Sequence, residues 1–184
     1  MNTYDNLRIN PVEKSNWNDF EDFFEAKGIL RNCWCMAWRM TKEEKKNNTP
    51  ACRKEYIKAR VQAGIPIGLL AYGNERTIAW CAIAPKESYT NLGGNDSLAN
   101  IWSLTCFYIL PEYRKRGFVH LLIEAAKQYA KDNGGQYLEA YPVAEDSPSY
   151  RYMGFVRTFE KEGFSHTGKA GSRRNVMICQ LAAA

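Results

Sequence analysis

Residues 109–120 read ILPEYRKRGFVH, and their types and order build an anion site. An apolar run ends at Pro111, a short turn carries Arg114, Lys115, Arg116 and Gly117, and an amphipathic pattern begins at Phe118. The first amides of a helix have no partner inside it, and the aligned peptide dipoles put partial positive charge at the same end. Glycine lets the backbone approach a ligand closely, and three cationic side chains add full charge. A phosphate or pyrophosphate suits such a turn. A solvated basic turn uses the same residues, so context has to decide between them.

Other side chains suited to chemistry stand elsewhere. Glu139 interrupts the apolar run at 137–143 (YLEAYPV), and Asp96 sits in the polar loop 90–96 (TNLGGND). Either carboxylate can take a proton from a reacting group. Cys106 is a thiol without a recognisable histidine partner, which argues against an acyl-carrying nucleophile. The cysteines at 33, 35, 52, 81, 106 and 179 stand mostly among apolar neighbours, with no CxxC pair, and His120 and His166 have no partners at ligand spacing. Buried thiols in a reducing compartment, and no metal, are the expectation. Trp34, Trp38 and Tyr141 supply aromatic surface for the core or for a substrate pocket.

Positioning these groups requires several elements. Residues 7–12 suit a short opening strand, and 16–27 a helix with Ser15 as cap, Gly28 as stop and Trp17, Phe20 and Phe24 at helical spacing. Residues 33–40 (CWCMAWRM) are dense in sulfur and indole and leave strand and loop both open. A second helix is expected over 50–63, with Pro50 in its first turn. Strand signals at 67–72 and 77–84 flank a turn at 73–76, predicting a β-hairpin. A long strand follows over 98–110. Phe118, Leu121, Leu122, Ala125, Ala126 and Tyr129 then recur at helical spacing until Asn133, Gly134 and Gly135 stop the helix. Residues 136–143 suit a strand, 148–162 contain a helix, and 164–168 and 174–181 are strand-like. This order gives an α+β (α/β layered) class, a mixed sheet with helices against it.

Composition narrows the function classes. The 184 residues suit one domain, and 45% hydrophobic with 24% charged residues excludes a disordered tail, a collagen-like chain and a coiled-coil rod. No apolar stretch nears the ~20 residues of a membrane span, and the first residues lack a secretory pattern, so a soluble cytoplasmic protein with no membrane partner is expected. A net charge of +5, from 25 Lys and Arg against 20 Asp and Glu, suits an anionic ligand but lacks the basic stripe of a nucleic-acid binder. The basic cluster at 169–174 (KAGSRR) reads as a solubility feature.

At residues 113–119 (YRKRGFV) the chain resembles the GNAT (Gcn5-related N-acetyltransferase) superfamily, whose coenzyme A motif reads Q/R-x-x-G-x-G/A. Arg114 falls on its first position and Gly117 on its fourth, while Val119 stands where the motif has Gly or Ala. The resemblance includes Phe107, Tyr108 and Ile109 before the motif, residues 159–164 (FEKEGF) beside that superfamily's Y-E-K-L-G-F, and the order of elements from residue 67 onward.

The resemblance implies a single GNAT-like domain over 1–184, with a mostly antiparallel central sheet and helices on both faces. It implies acetyl-CoA as co-substrate, with residues 107–109 pairing with the pantetheine arm as an added strand. The turn made of Arg114, Lys115, Arg116, Gly117, Phe118, Val119 and His120 would hold the pyrophosphate. Tyr152 falls where many members carry a coenzyme-contacting asparagine. Phe159 falls where many carry the tyrosine that protonates the thiolate, and a phenyl ring cannot donate a proton. Ser103 and Thr105 fall where members with a strand base place it; both are poor bases that share a strand face and can orient water. The implied reaction is direct attack of an amine on the thioester, with Glu139 as a candidate base and Trp34, Trp38 and Tyr141 lining the acceptor. The expected acceptor is a primary amine of a small molecule. A protein or peptide acceptor and a non-catalytic acyl-CoA-binding module are the alternatives, and a homodimer is compatible with the pattern.

Overall fold

The computed structural model describes residues 7–26 and 33–181. Seven strands form one sheet: β1 (Arg8–Pro11), β2 (Leu69–Gly73), β3 (Arg76–Pro85), β4 (Ile101–Ile109), β5 (Tyr137–Ala140), β6 (Ser165–Ala170) and β7 (Arg174–Gln180). Their order is β1-β2-β3-β4-β5-β7-β6, antiparallel throughout except for the parallel pair β4–β5. The helices are α1 (Trp17–Glu25), α2 (Pro50–Gln62), α3 (Phe118–Asp132) and α4 (Val156–Lys161).

The β2–β3 hairpin closes through Asn74 and Glu75, both left-handed (φ 50° and 64°), the backbone that matches strand twist in a two-residue turn. β3 is buried along nearly its whole length because helices cover both faces of the sheet. On one face Trp80 packs on Phe20 and Phe24 of α1, with ring centroids 5.0 and 5.7 Å away. On the other, Trp102 of β4 meets Tyr129 of α3 edge-on at 5.4 Å. The apolar stripe of α3, including Phe118, Leu122, Ile123 and Ala126, lies in this core.

Several boundaries differ from expectation, each for a local reason. α1 begins at Trp17 without Ser15 as its cap; Glu13 N–H donates instead to Asn16 Oδ1 at 2.7 Å around a short 3₁₀ turn. The expected stop, Gly28, lies outside the described residues. β4 begins at Ile101 rather than 98, because Asn95 Oδ1 accepts from the N–H groups of Ser97 and Leu98 (2.9 and 3.2 Å) and holds that stretch in a turn. The helix expected within 148–162 shrinks to α4, since left-handed backbone at Tyr150 and Gly154 confines the preceding residues to a 3₁₀ turn, Arg151–Met153. Residues 33–40 are turns, with Trp34 and Cys35 both at φ 49°.

Candidate active site

β4 and β5 run side by side only over residues 101–104 and 137–140, and then part. Both strands contribute. Across β3, Leu104 faces Ile83 and Cys106 faces Ala82, so Thr105 is a bulge that increases the twist of β4. After Ala140 the chain bonds elsewhere: Val143 N–H donates to Gly154 O at 3.0 Å, and Val156 N–H to Val143 O at 3.1 Å. This also ends β5 three residues before the expected Val143. Residues 106–109 therefore pair with β3 on one side and, among the described residues, with no strand on the other. Such an edge is a template for an extended ligand.

That edge faces a cleft of about 630 Å³. Phe107, Tyr108 and Ile109 form one wall, Tyr152, Gly154, Phe155 and Thr158 the other, and Arg114, Lys115 and Val119 close the end. The closing turn is built from two left-handed residues, Lys115 (φ 60°) and Gly117 (φ 82°). A Cβ on Gly117 would meet nothing within 4 Å, so the position needs glycine's backbone freedom rather than its small size. Arg114 Nε donates to Ile109 O at 2.9 Å and its guanidinium lies 5.6 Å from the Tyr108 ring, which folds the side chain along the wall.

The remaining residues expected around the coenzyme stand away from the cleft lining. Arg116 lies over the Tyr113 ring at 5.9 Å, and Phe118 is buried edge-on to the same ring at 5.7 Å. His120 N–H already donates to Gly117 O at 3.0 Å, and its Nδ1 sits 2.5 Å from Glu162 Oε1. Phe159 is fully buried between Phe107 and Phe164, so it packs the core behind the wall and does not face the cleft.

A second group of side chains converges where β4 and β5 part. The hydroxyls of Ser103 and Tyr141, both fully buried, pair at 3.1 Å, and Tyr141 donates on to Glu139 Oε1. Glu139 is itself fully buried: Oε2 accepts Asn95 N–H at 2.7 Å, and Oε1 lies 3.4 Å from Lys86 Nζ. Gly94 is packed against this carboxylate so closely that a Cβ there would collide with Glu139 Oε1. Loop 93–95 thus covers Glu139, whose side chain connects to the Ser103 hydroxyl through Tyr141. Burial, and after it the Glu139 charge, push the Tyr141 hydroxyl far above the ordinary tyrosine range. Asp96 is highly exposed and pairs with Lys86 at 3.2 Å.

Thr105 Oγ1 donates to Tyr89 OH at 3.5 Å, Tyr89 OH to Ser103 O at 3.3 Å, and Arg39 Nη2 to both Tyr89 OH and Ile67 O at 2.7 Å. Tyr152 is 42% exposed, and burial of its ring is the main cause that raises its hydroxyl pKa. Trp38 lies beside Tyr152, 6.2 Å from the Tyr150 ring and 4.2 Å beneath the guanidinium of Arg174. Trp34 is elsewhere: it stacks on Phe24 at 5.4 Å in the main core, which corrects its assignment to the acceptor. The Cys35 thiol is raised well above its usual value, chiefly by its hydrogen bond with Cys106. No cluster of His, Cys, Asp or Glu among the described residues could hold a metal ion, and no helix among them is long and apolar enough to cross a membrane.

The model of the acetyltransferase (GNAT) family matches residues 25–155, which include β4, the turn and all of α3. The chain belongs to the GNAT acetyltransferase family. Solved structures share the fold. A GNAT-family acetyltransferase from Streptococcus pneumoniae is 17% identical, with a TM-score of 0.59 over 96% of this chain and 99% of its own. The PaiA N-acetyltransferase of Thermoplasma acidophilum, solved in complex with coenzyme A, is 18% identical, with a TM-score of 0.56 over 95% and 98%. YncA of Salmonella typhimurium, solved with its cofactor acetyl-CoA, is 14% identical, with a TM-score of 0.58 over 97% and 95%. No curated protein matches the chain in sequence.

Within this GNAT chain, sequence reasoning missed Arg39, Lys86, Tyr89 and Arg174 at the site, and Gly154, Phe155 and Thr158 in the cleft wall. Arg39 carried a usable signal, a charge inside the apolar run at 33–40. Arg174 was masked by its basic neighbours at 169–173.

Proposed function

We propose that this protein is an acetyl-CoA-dependent N-acetyltransferase that acetylates a primary amine of a small molecule by direct attack. The observation that carries the reading is the unpaired edge of β4 along an apolar cleft that ends in the cationic turn before α3. The backbone of residues 107–109 binds the pantetheine arm as an added strand, and Arg114, Lys115 and the start of α3 bind the pyrophosphate. The bound thioester supplies the activated acetyl carbon.

The chain's own groups manage the protons. As the C–N bond forms and the C–S bond breaks, the amine loses a proton and the sulfur gains one. Ser103, Tyr141 and Glu139 form a hydrogen-bonded relay that takes the amine's proton from the parting of β4 and β5 to the buried carboxylate. Tyr152 lines the cleft with a hydroxyl that stays protonated at neutral pH, which makes it the donor toward the departing sulfur. The acceptor groups are themselves nearly all buried, which favours a compact amine over a protein side chain.

The test is release of free thiol from acetyl-CoA with polyamines, aminoglycosides, amino acids and peptides, alongside calorimetric titration of acetyl-CoA. Amine-dependent thiol release is expected. Tight binding without turnover of any amine would favour a non-catalytic acyl-CoA-binding module, and absence of binding would remove the donor reading altogether.

A further inference from the structure

Two guanidinium groups are buried at the acceptor end without a carboxylate. Arg174 is 8% exposed and Arg39 only 1%. Arg8, Arg60 and Arg76 each meet a glutamate, but among the described residues neither Arg39 nor Arg174 has an acidic group within 4.0 Å. Arg39 Nε and Nη1 have no hydrogen-bond partner among the described residues. The buried carboxylate of this region, Glu139, is already engaged by Lys86, Tyr141 and Asn95. Burying charge without a counter-charge is costly, and a bound anion removes that cost.

Arg174 is held in a fixed position. Its Nη1 donates to Leu92 O at 2.8 Å, and its guanidinium lies 4.2, 5.7 and 5.9 Å from the rings of Trp38, Tyr150 and Tyr141. The rings hold the cation by cation–π attraction, and a guanidinium carries N–H donors in a planar fork whose geometry fits the two oxygens of a carboxylate. Tyr141 connects this fork to the reaction centre, because its hydroxyl pairs with Ser103 where β4 and β5 part. About one tyrosine ring therefore separates the cation from the relay, a spacing suited to an amine and a carboxylate within one short molecule.

Resting on the acetyltransferase reading, we propose that the acceptor is an amino-acid-like amine and that Arg174 binds its carboxylate. Arg39, behind Tyr89, adds a second positive charge to the same region.

The experiment compares kcat/KM for a panel of amino acids with that for their carboxamides and for the corresponding amines without a carboxyl group. Wild type should prefer the carboxylates by about 10-fold or more, the scale of hydrogen bonds to a charged group. Arg174→Gln should remove that preference, lowering kcat/KM for carboxylates by about 10- to 100-fold while leaving the carboxamides within a few-fold. Arg174→Lys, which keeps charge but loses the fork, should fall between. The carboxylate-to-carboxamide ratio separates recognition from a folding defect, which would depress both, and unchanged acetyl-CoA affinity checks the fold. Equal turnover of carboxylates and carboxamides by wild type would overturn this inference and leave the acetyltransferase reading intact. Turnover of no amine, with acetyl-CoA still bound, would overturn both.

Discussion

The two ends of the site are built differently. The donor cleft comes from β4, the turn directly after it and the 151–158 segment, with backbone edge and helix start as its main features. The proposed acceptor end is assembled from side chains of segments remote in sequence, among them Arg39, Lys86, Tyr89, Ser103, Glu139, Tyr141 and Arg174, most of them buried and interlocked. Backbone features tolerate varied side chains, whereas an interlocked polar network depends on each member. Under the proposed function, the donor end therefore suits a ligand common to many enzymes, and the acceptor end a particular one.

The largest effect should come from cutting the relay. Tyr141→Phe keeps the ring beneath Arg174 but removes the hydroxyl that links the Ser103 and Glu139 side chains. It should lower turnover by about 10²-fold or more with acetyl-CoA affinity unchanged. Unchanged turnover would make the Ser103–Tyr141–Glu139 cluster structural and erase the functional contrast between the ends.

Gly117→Glu addresses the other end, adding negative charge to the turn and a side chain at φ 82°. It should weaken acetyl-CoA binding about 10-fold or more through backbone strain and charge repulsion. Amine preference should stay the same. A change in amine preference would mean that the two ends are not separable.

A smaller effect concerns how residues 33–49 are anchored. The Glu44 carboxylate meets Arg60 with both oxygens, each at 2.9 Å, and Arg60 Nη2 also donates to Arg39 O at 3.2 Å. The Arg60 hydrogen bonds are the largest cause holding Glu44 below its usual pKa. A carboxylate whose folded pKa is lowered contributes stability above its unfolded value of about 4.3 and loses it as pH falls through the lowered value. Glu44→Gln should therefore cost about 1–2 kcal/mol at neutral pH, with the gap from wild type closing in acid. Thermal melts across pH 2–7 would read this, and a gap independent of pH would exclude the Glu44 charge as its source.

How much was legible in the sequence follows the same division. The helix α3, the β2–β3 hairpin and the turn at 114–117 announce themselves through contiguous periodicity, turn residues and charge. The cleft lining Phe107, Tyr108, Ile109, Arg114, Lys115 and Val119 lies within thirteen consecutive positions, so a local motif suffices to find it. Trp34 and Trp38 stand four residues apart in one apolar run, yet one packs into the core on Phe24 and the other lies under Arg174. Nothing local separates them, because left-handed backbone at Trp34 and Cys35 redirects the chain between them. Phe159 shows a related limit: its position resembles a site residue, but the sharp turn at Gly154 and the packing of Phe107 enclose it.

The central claim is that the unpaired edge of β4 and the turn before α3 bind the acyl donor. Hydrogen–deuterium exchange with saturating acetyl-CoA tests it directly, peptide by peptide. The account predicts slowed exchange over residues 105–109 and 114–120, with residues 101–104, already paired to β5, little changed. Saturation of the protein with no protection in either segment, or protection confined to other parts of the chain, would contradict it.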